Sequence, residues 1–108
     1  MTNHASCQVS AALALTQLLV DHPAVAGRVT WTVDPLGALH GEQPAETDQG
    51  QAIDSLARLL GCTSARTVLD RRGDRHVLVQ LATVWQGVPV EAWTTYTELP
   101  VTVGGPGE

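Results

Sequence analysis

Val77-Leu78-Val79-Gln80-Leu81-Ala82-Thr83-Val84-Trp85-Gln86-Gly87-Val88-Pro89-Val90-Glu91-Ala92-Trp93-Thr94-Thr95-Tyr96 is the stretch on which the fold turns. Two runs rich in β-branched and aromatic residues flank a Gln-Gly pair, the pattern of a hairpin closed by a two-residue loop. Such a loop pairs Trp85 with Val88, Thr83 with Val90, Leu81 with Ala92, Val79 with Thr94 and Val77 with Tyr96. Side chains alternate across a strand, so this nearly all apolar set marks the core face. The other face then carries His76, Leu78, Gln80, Ala82 and Val84 opposite Pro89, Glu91, Trp93, Thr95 and Thr97. Pro89 cannot donate a ladder hydrogen bond, and it predicts that the last strand is an edge or bulges there.

Immediately upstream, residues 64–69 read as a third strand, joined to the hairpin by the turn Asp70-Arg71-Arg72-Gly73. This strand is expected to add Arg66 and Val68 to the non-core face. Residues 48–60 read as a helix with an apolar stripe at Ile53, Leu56, Ala57 and Leu60. Asp48 and Gln51 have the spacing of a capping box, and Gly61 suits the position just past the end. Asp54 and Arg58 are expected to pair on the outer side of this helix.

Nearer the N-terminus, Val29, Trp31 and Val33 alternate with Thr30 and Thr32, which predicts a half-buried strand. Asp34-Pro35-Leu36-Gly37 reads as a type I turn, followed by a return strand over 38–42. Residues 5–21 read as a first helix stopped by Pro23. Its apolar arc, from Val9 through Ala12, Leu13, Leu15, Leu18, Leu19 and Val20, is wide enough for two packing partners. The expected fold is therefore α+β, in the order α-β-β-α-β-β-β: an antiparallel five-stranded sheet covered by two helices. One domain should span 1–102, with a flexible Gly/Pro-rich tail at 103–108.

The matching turns hint at a short internal repeat. Asp34 and Asp70 each precede a Gly by three residues and a His by six, giving His40 and His76. Each hairpin also follows a helix that contains a Leu-Leu pair. The matched offsets place both histidines on the non-core side of their hairpins.

Composition narrows the function classes. At 108 residues, 44% hydrophobic and 16% charged, the chain is a globular domain, not a disordered one. A domain of this size buries about two-thirds of its unfolded surface without metal or disulfide support. The net charge of −5 disfavours generic attraction to a phosphate backbone. Cys7 and Cys62 are too few and too far apart for a disulfide framework or a zinc motif. The apolar run at 11–20 has no Lys or Arg before it and is interrupted by Thr16 and Gln17. It therefore reads as a helix and not as a signal peptide, and a cytoplasmic location without a membrane span is expected.

The candidate interaction residues are Trp93, Leu78, Val68 and Val84 on the non-core face, with Ala82 beside them. Together they form an apolar patch with a favoured interface anchor at its centre. Arg66, Arg71, Arg72 and Arg75 cluster on the second hairpin and could meet phosphate or an acidic partner, with Asp70 and Asp74 offsetting their charge. His40 and His76 could approach one another and, with Glu42 or Glu91, bind a metal or exchange protons. Their spacing matches no zinc motif, however, and no nucleophile adjoins them. No catalytic residue and no cofactor are expected.

The Ala/Leu-rich first helix, the Thr30-Trp31-Thr32-Val33-Asp34 strand and the Trp85-Gln86-Gly87-Val88 hairpin resemble those of small uncharacterised α+β proteins of GC-rich actinobacteria. Some of those are encoded near phages or mobile elements, and the resemblance implies no site residues. In size, acidity and alternation of elements the chain is also similar to small acidic secretion chaperones, although it lacks their closing helix. The sequence thus points to a non-enzymatic interaction domain that binds itself or a protein partner through the outer sheet face. The alternatives are a nucleic-acid accessory protein using the Arg hairpin, then a small ligand- or metal-binding protein using the two histidines.

Overall fold

The computed structural model describes residues 4–44, 48–71 and 73–98, with His4 and Arg71 described by backbone alone. The order of elements is α1 (His4–Asp21), α2 (Pro23–Ala26), β1 (Thr30–Val33), β2 (Leu39–Glu42), α3 (Gln51–Leu60), β3 (Ala65–Arg71), β4 (Asp74–Trp85) and β5 (Val88–Glu98). The expected tail at 103–108, and residues 99–102 before it, lie outside the described residues.

The β4–β5 hairpin has the register read from its turn, from Trp85 opposite Val88 to Arg75 opposite Glu98. Gln86 and Gly87 both have positive φ, 52° and 76°, as a turn that follows the right-handed strand twist requires. β3 pairs with β4 as far as Arg71 opposite Asp74, so only two residues separate the paired strands. The expected turn is therefore shorter by two residues, and Asp70 lies within the strand. The first turn differs. Asp34 Oδ1 accepts from the amides of Leu36 and Ala38, and the Gly37 amide donates to the Asp34 carbonyl. The two Asp-x-x-Gly segments are thus different turns, and the repeat does not extend to their geometry.

Two expectations about the sheet need correction. The strand order is β1-β2-β5-β4-β3, and β2 pairs with β5 in parallel, so the sheet is mixed and not purely antiparallel. β5 is consequently an interior strand, not the edge that Pro89 suggested. The first β2 partner is Leu39, opposite Val90, so Pro89 sits one residue before the pairing begins. Its missing N–H therefore interrupts no bond to β2.

There are also three helices among the described residues, not two. Pro23 ends α1 and opens α2 from its first turn, where a missing N–H costs nothing. α1, α2 and α3 all lie on one face of the sheet. The core between them joins Ala11, Ala14 and Leu18 of α1 and Ala26 of α2 to Ile53, Leu56 and Leu60 of α3. From the sheet come Leu39, Val77, Val79, Leu81, Val88, Val90 and Ala92. Trp31 and Trp85 pack against this core as expected, and the Trp31 indole donates to the Ala26 carbonyl at 2.9 Å.

The ends of α3 show how local chemistry sets its place. The expected capping box does not form, because Gly50, not Asp48, is the N-cap. Asp48 instead accepts from the amides of Gly50 and Ala52 and from Gln43 Nε2, and pairs with Arg28 at 3.0 Å. Burial pushes the Asp48 carboxyl up, but these donors outweigh it and hold its pKa below the ordinary value. At the other end the amides of Gly61 and Cys62 return to Arg58 and Ala57, closing the helix with paired reverse bonds.

Candidate functional site: the open face of the sheet

With every helix on one side, the second face of the sheet is uncovered among the described residues. Cross-strand register arranges it in rows. One row runs across all five strands as Ala65, Gln80, Trp93, Glu42 and Thr30. A second contains Ala82, Glu91, His40 and Thr32, and a third Thr67, Leu78 and Thr95. Val84 and Pro89 close one end, while Leu69, His76 and Thr97 lie towards the other. Trp93 is 38% exposed and Val84 66% exposed, and Leu78 is half-buried between them and the threonines. A shallow depression of about 340 Å³ lies between Thr63, Ala65, Gln80, Ala82, Glu91 and Trp93. Among the described residues no helix covers Trp93, which forms one wall of an open hollow.

The structure places Leu78, Val84, Ala82 and Trp93 together on this face, as their alternation predicts. It places Arg66 and Val68 on the opposite one. Arg66 faces Val79 and Val68 faces Val77, both core-side residues of β4. Loop parity decides this. A loop of two residues, like one of four, sets the even-numbered residues of β3 opposite odd-numbered residues of β4, so Arg66 and Val68 belong with the core-side Val79 and Val77. Placing them on the open face would have required a loop with an odd number of residues. Val68 remains 47% exposed, because it lies on a part of β3 that the helices do not cover.

The arginine cluster does not converge. Arg66 donates from both terminal nitrogens to Asp54, at 3.0 and 2.8 Å, and also reaches the Gln49 carbonyl. The expected Asp54–Arg58 pair thus gives way to a bidentate Asp54–Arg66 pair between α3 and β3, which fits guanidinium geometry better. Arg66, with Ser64 as a second donor, holds the Asp54 carboxyl below its ordinary pKa. Arg75 pairs with Glu98 at 3.3 Å. Arg72 and the Arg71 side chain lie outside the described residues.

His40 and His76 do share the open face but are not neighbours. His40 is aligned with Ala82, and His76 is six residues away along β4, about 20 Å at strand spacing. His76 has Thr97 Oγ1 at 3.3 Å. His40 is clamped: Nε2 lies 2.7 Å from Asp34 Oδ2 and Nδ1 lies 2.7 Å from Glu91 Oε1. Two ionised carboxylates can only accept, so the imidazole between them donates from both nitrogens and carries a positive charge. Its pKa is raised above the ordinary 6.5, mainly by Asp34 and then by Glu91. Bonds from the Ala38 amide, from His40 and from the Leu36 amide lower that of Asp34. The clamp ties the β1–β2 turn to the centre of the sheet. Among the described residues, no group of three His, Cys, Asp or Glu side chains is arranged to hold a metal. Cys7 and Cys62 are free, half-buried thiols.

Sequence reasoning foresaw the β4 and β5 residues of this face, though not those of β3, and the broad apolar arc of α1. It did not assign the outward part of that arc. Val9, Leu13 and Val20 are 57, 66 and 70% exposed, on the side of α1 opposite Ala11, Ala14 and Leu18. Their spacing of four and seven residues places them in one stripe, a second uncovered apolar surface. No described helix is long and apolar enough to cross a membrane. No protein-family model, curated protein or solved structure matches the chain.

Proposed function

We propose that this chain is a non-enzymatic protein-interaction domain whose open sheet face docks on an apolar surface of a protein partner. One observation carries the reading: all three helices lie on one side, leaving Trp93, Leu78, Ala82 and Val84 exposed or half-buried on the other. The face of β3, β4 and β5, with the ends of β1 and β2, covers on the order of 600 Å² at standard strand spacing. Stable partners each contribute roughly 800 Å². The arrangement is that of a binding face, with a central aromatic anchor, aliphatic neighbours and a rim of Thr, Gln, Glu and clamped His. The ion pairs of Arg66 and Arg75, together with the net charge of −5, favour a protein over a nucleic acid.

The actinobacterial resemblance and the expected cytoplasmic location suggest where to find that partner: among products of neighbouring phage or mobile-element genes. The test compares wild-type protein with Trp93→Glu and Val84→Glu against those products by isothermal calorimetry. Both variants should keep the wild-type circular dichroism and lose at least tenfold in affinity. Equal affinity for wild type and both variants would sink the reading.

A further inference from the structure

The sheet ends at β3, and this edge has an unusual property. Residues 65–70 are exposed without a break, on both faces of the strand. β3 is not shortened and contains no Pro, and the charges it carries are of both signs, Arg66 and Arg71 against Asp70, so they do not simply repel a second copy of the strand. Its backbone polarity follows from the hairpin. In a two-residue loop the closing pair, here Arg71 and Asp74, exchanges hydrogen bonds. Bonding to β4 therefore alternates along β3, and Arg66, Val68 and Asp70 turn their N–H and C=O groups outward, away from the sheet.

The same three residues are self-complementary. An antiparallel copy related by a two-fold axis through Val68 sets Val68 against Val68, Arg66 against Asp70 and Asp70 against Arg66. Residues facing one another in this register have the same parity, so both copies keep their helices on one side and their open faces on the other. All three outward-facing pairs are hydrogen-bonded pairs, giving about six inter-chain bonds. At both ends the Asp70 carboxylate comes opposite the Arg66 guanidinium, which is already paired with Asp54 of its own copy, and a half-exposed valine meets its own copy at the centre.

We infer that two copies of this chain join edge to edge through β3, in an antiparallel register centred on Val68, to form one continuous ten-stranded sheet. The interface is isologous and closed, so association stops at the dimer. It uses a different surface from the open-face docking proposed above and does not rest on it. Its effect would be to place two Trp93 faces side by side in one plane.

Sedimentation equilibrium and amide hydrogen exchange on the full chain, over a concentration series, test the inference. Wild type should show a concentration-dependent dimer, with the amides of Arg66, Val68 and Asp70 gaining protection as it forms. Val68→Pro removes an outward N–H without touching the β4 ladder, and should leave a folded monomer. Asp70→Arg, which retains the backbone but opposes Arg66 with a like charge, should weaken dimerisation at least tenfold. Trp93→Glu should leave the dimer intact, which separates this surface from the open face. A wild type that stays monomeric at the highest concentrations reached overturns the inference. So does a dimer that survives Asp70→Arg while the amides of residues 66, 68 and 70 exchange freely.

Discussion

At the scale of single residues, His40 has the most measurable consequence. A raised histidine pKa means its stabilisation is complete below about 6.5 and disappears as pH rises through the higher folded value. Asp34, with a lowered pKa, contributes above about 3.8 and loses its contribution as pH falls through its folded value. The clamp is therefore strongest in mildly acidic solution, between those limits. A proton NMR titration should place the His40 midpoint above 6.5. The urea midpoint of wild type should converge on that of His40→Gln as the pH is raised past it, and a constant difference from pH 5 to 9 would contradict this account. Gly41 is a second single-residue constraint. A Cβ there would lie 2.6 Å from Val29 and 3.0 Å from the Trp31 ring. Gly41→Ala should cost about 1–3 kcal/mol by overpacking, readable as a lower urea midpoint at unchanged slope. The alternation around Trp31 was legible in the sequence. That its neighbour across β2 had to be glycine was not, because the conflict arises only when β1 and β2 meet at close range.

Among the elements, α1 has two apolar sides with different roles. Leu18 is 1% exposed and fully enclosed by the core, so Leu18→Ala should cost about 2–5 kcal/mol. Leu13 and Val20 face outward, and the double change Leu13→Gln/Val20→Gln should alter stability by no more than about 0.5 kcal/mol per site while raising solubility. Thermal unfolding of both variants checks the pair; similar losses would mean the outward stripe is packed after all. The sequence showed the width of this arc but not its division, since periodicity reports how many residues are apolar and not which of them meet the sheet. α3 was plainer. Its stripe at Ile53, Leu56, Ala57 and Leu60 is buried as read, because a ten-residue helix with one apolar side has one way to lie on a sheet. Its charged side was misread, since Arg58 competes with Arg66, which comes from a strand twelve residues after Asp54 and offers two bonds at once.

For the molecule as a whole, strand order sets where stability is concentrated. β5 is held by β4 on one side and β2 on the other, whereas β1 and β3 each have one neighbour. Native-state hydrogen exchange in dilute solution should find the slowest amides in the middle of β4 and β5, around Val79, Leu81, Val90 and Ala92. The outward amides of β3 should be among the fastest in the sheet. Protection spread evenly over the five strands would contradict this order.

The sequence by itself determined every element but the short α2, together with the β4–β5 register and the two faces of that hairpin. Each of those follows from contacts within a few residues or across a single turn. Only the tertiary structure decided that β2 joins β5 in parallel, because that contact joins segments about fifty residues apart and leaves no periodic trace in either. The same holds for the placing of all helices on one side, since a helix stripe says that something is covered without saying which face. The faces of β3 fell between the two cases. They depend on whether its loop holds an even or an odd number of residues, and the even count sets Arg66 and Val68 opposite Val79 and Val77 on the helix side, while Trp93, Leu78 and Val84 lie exposed or half-buried on the other.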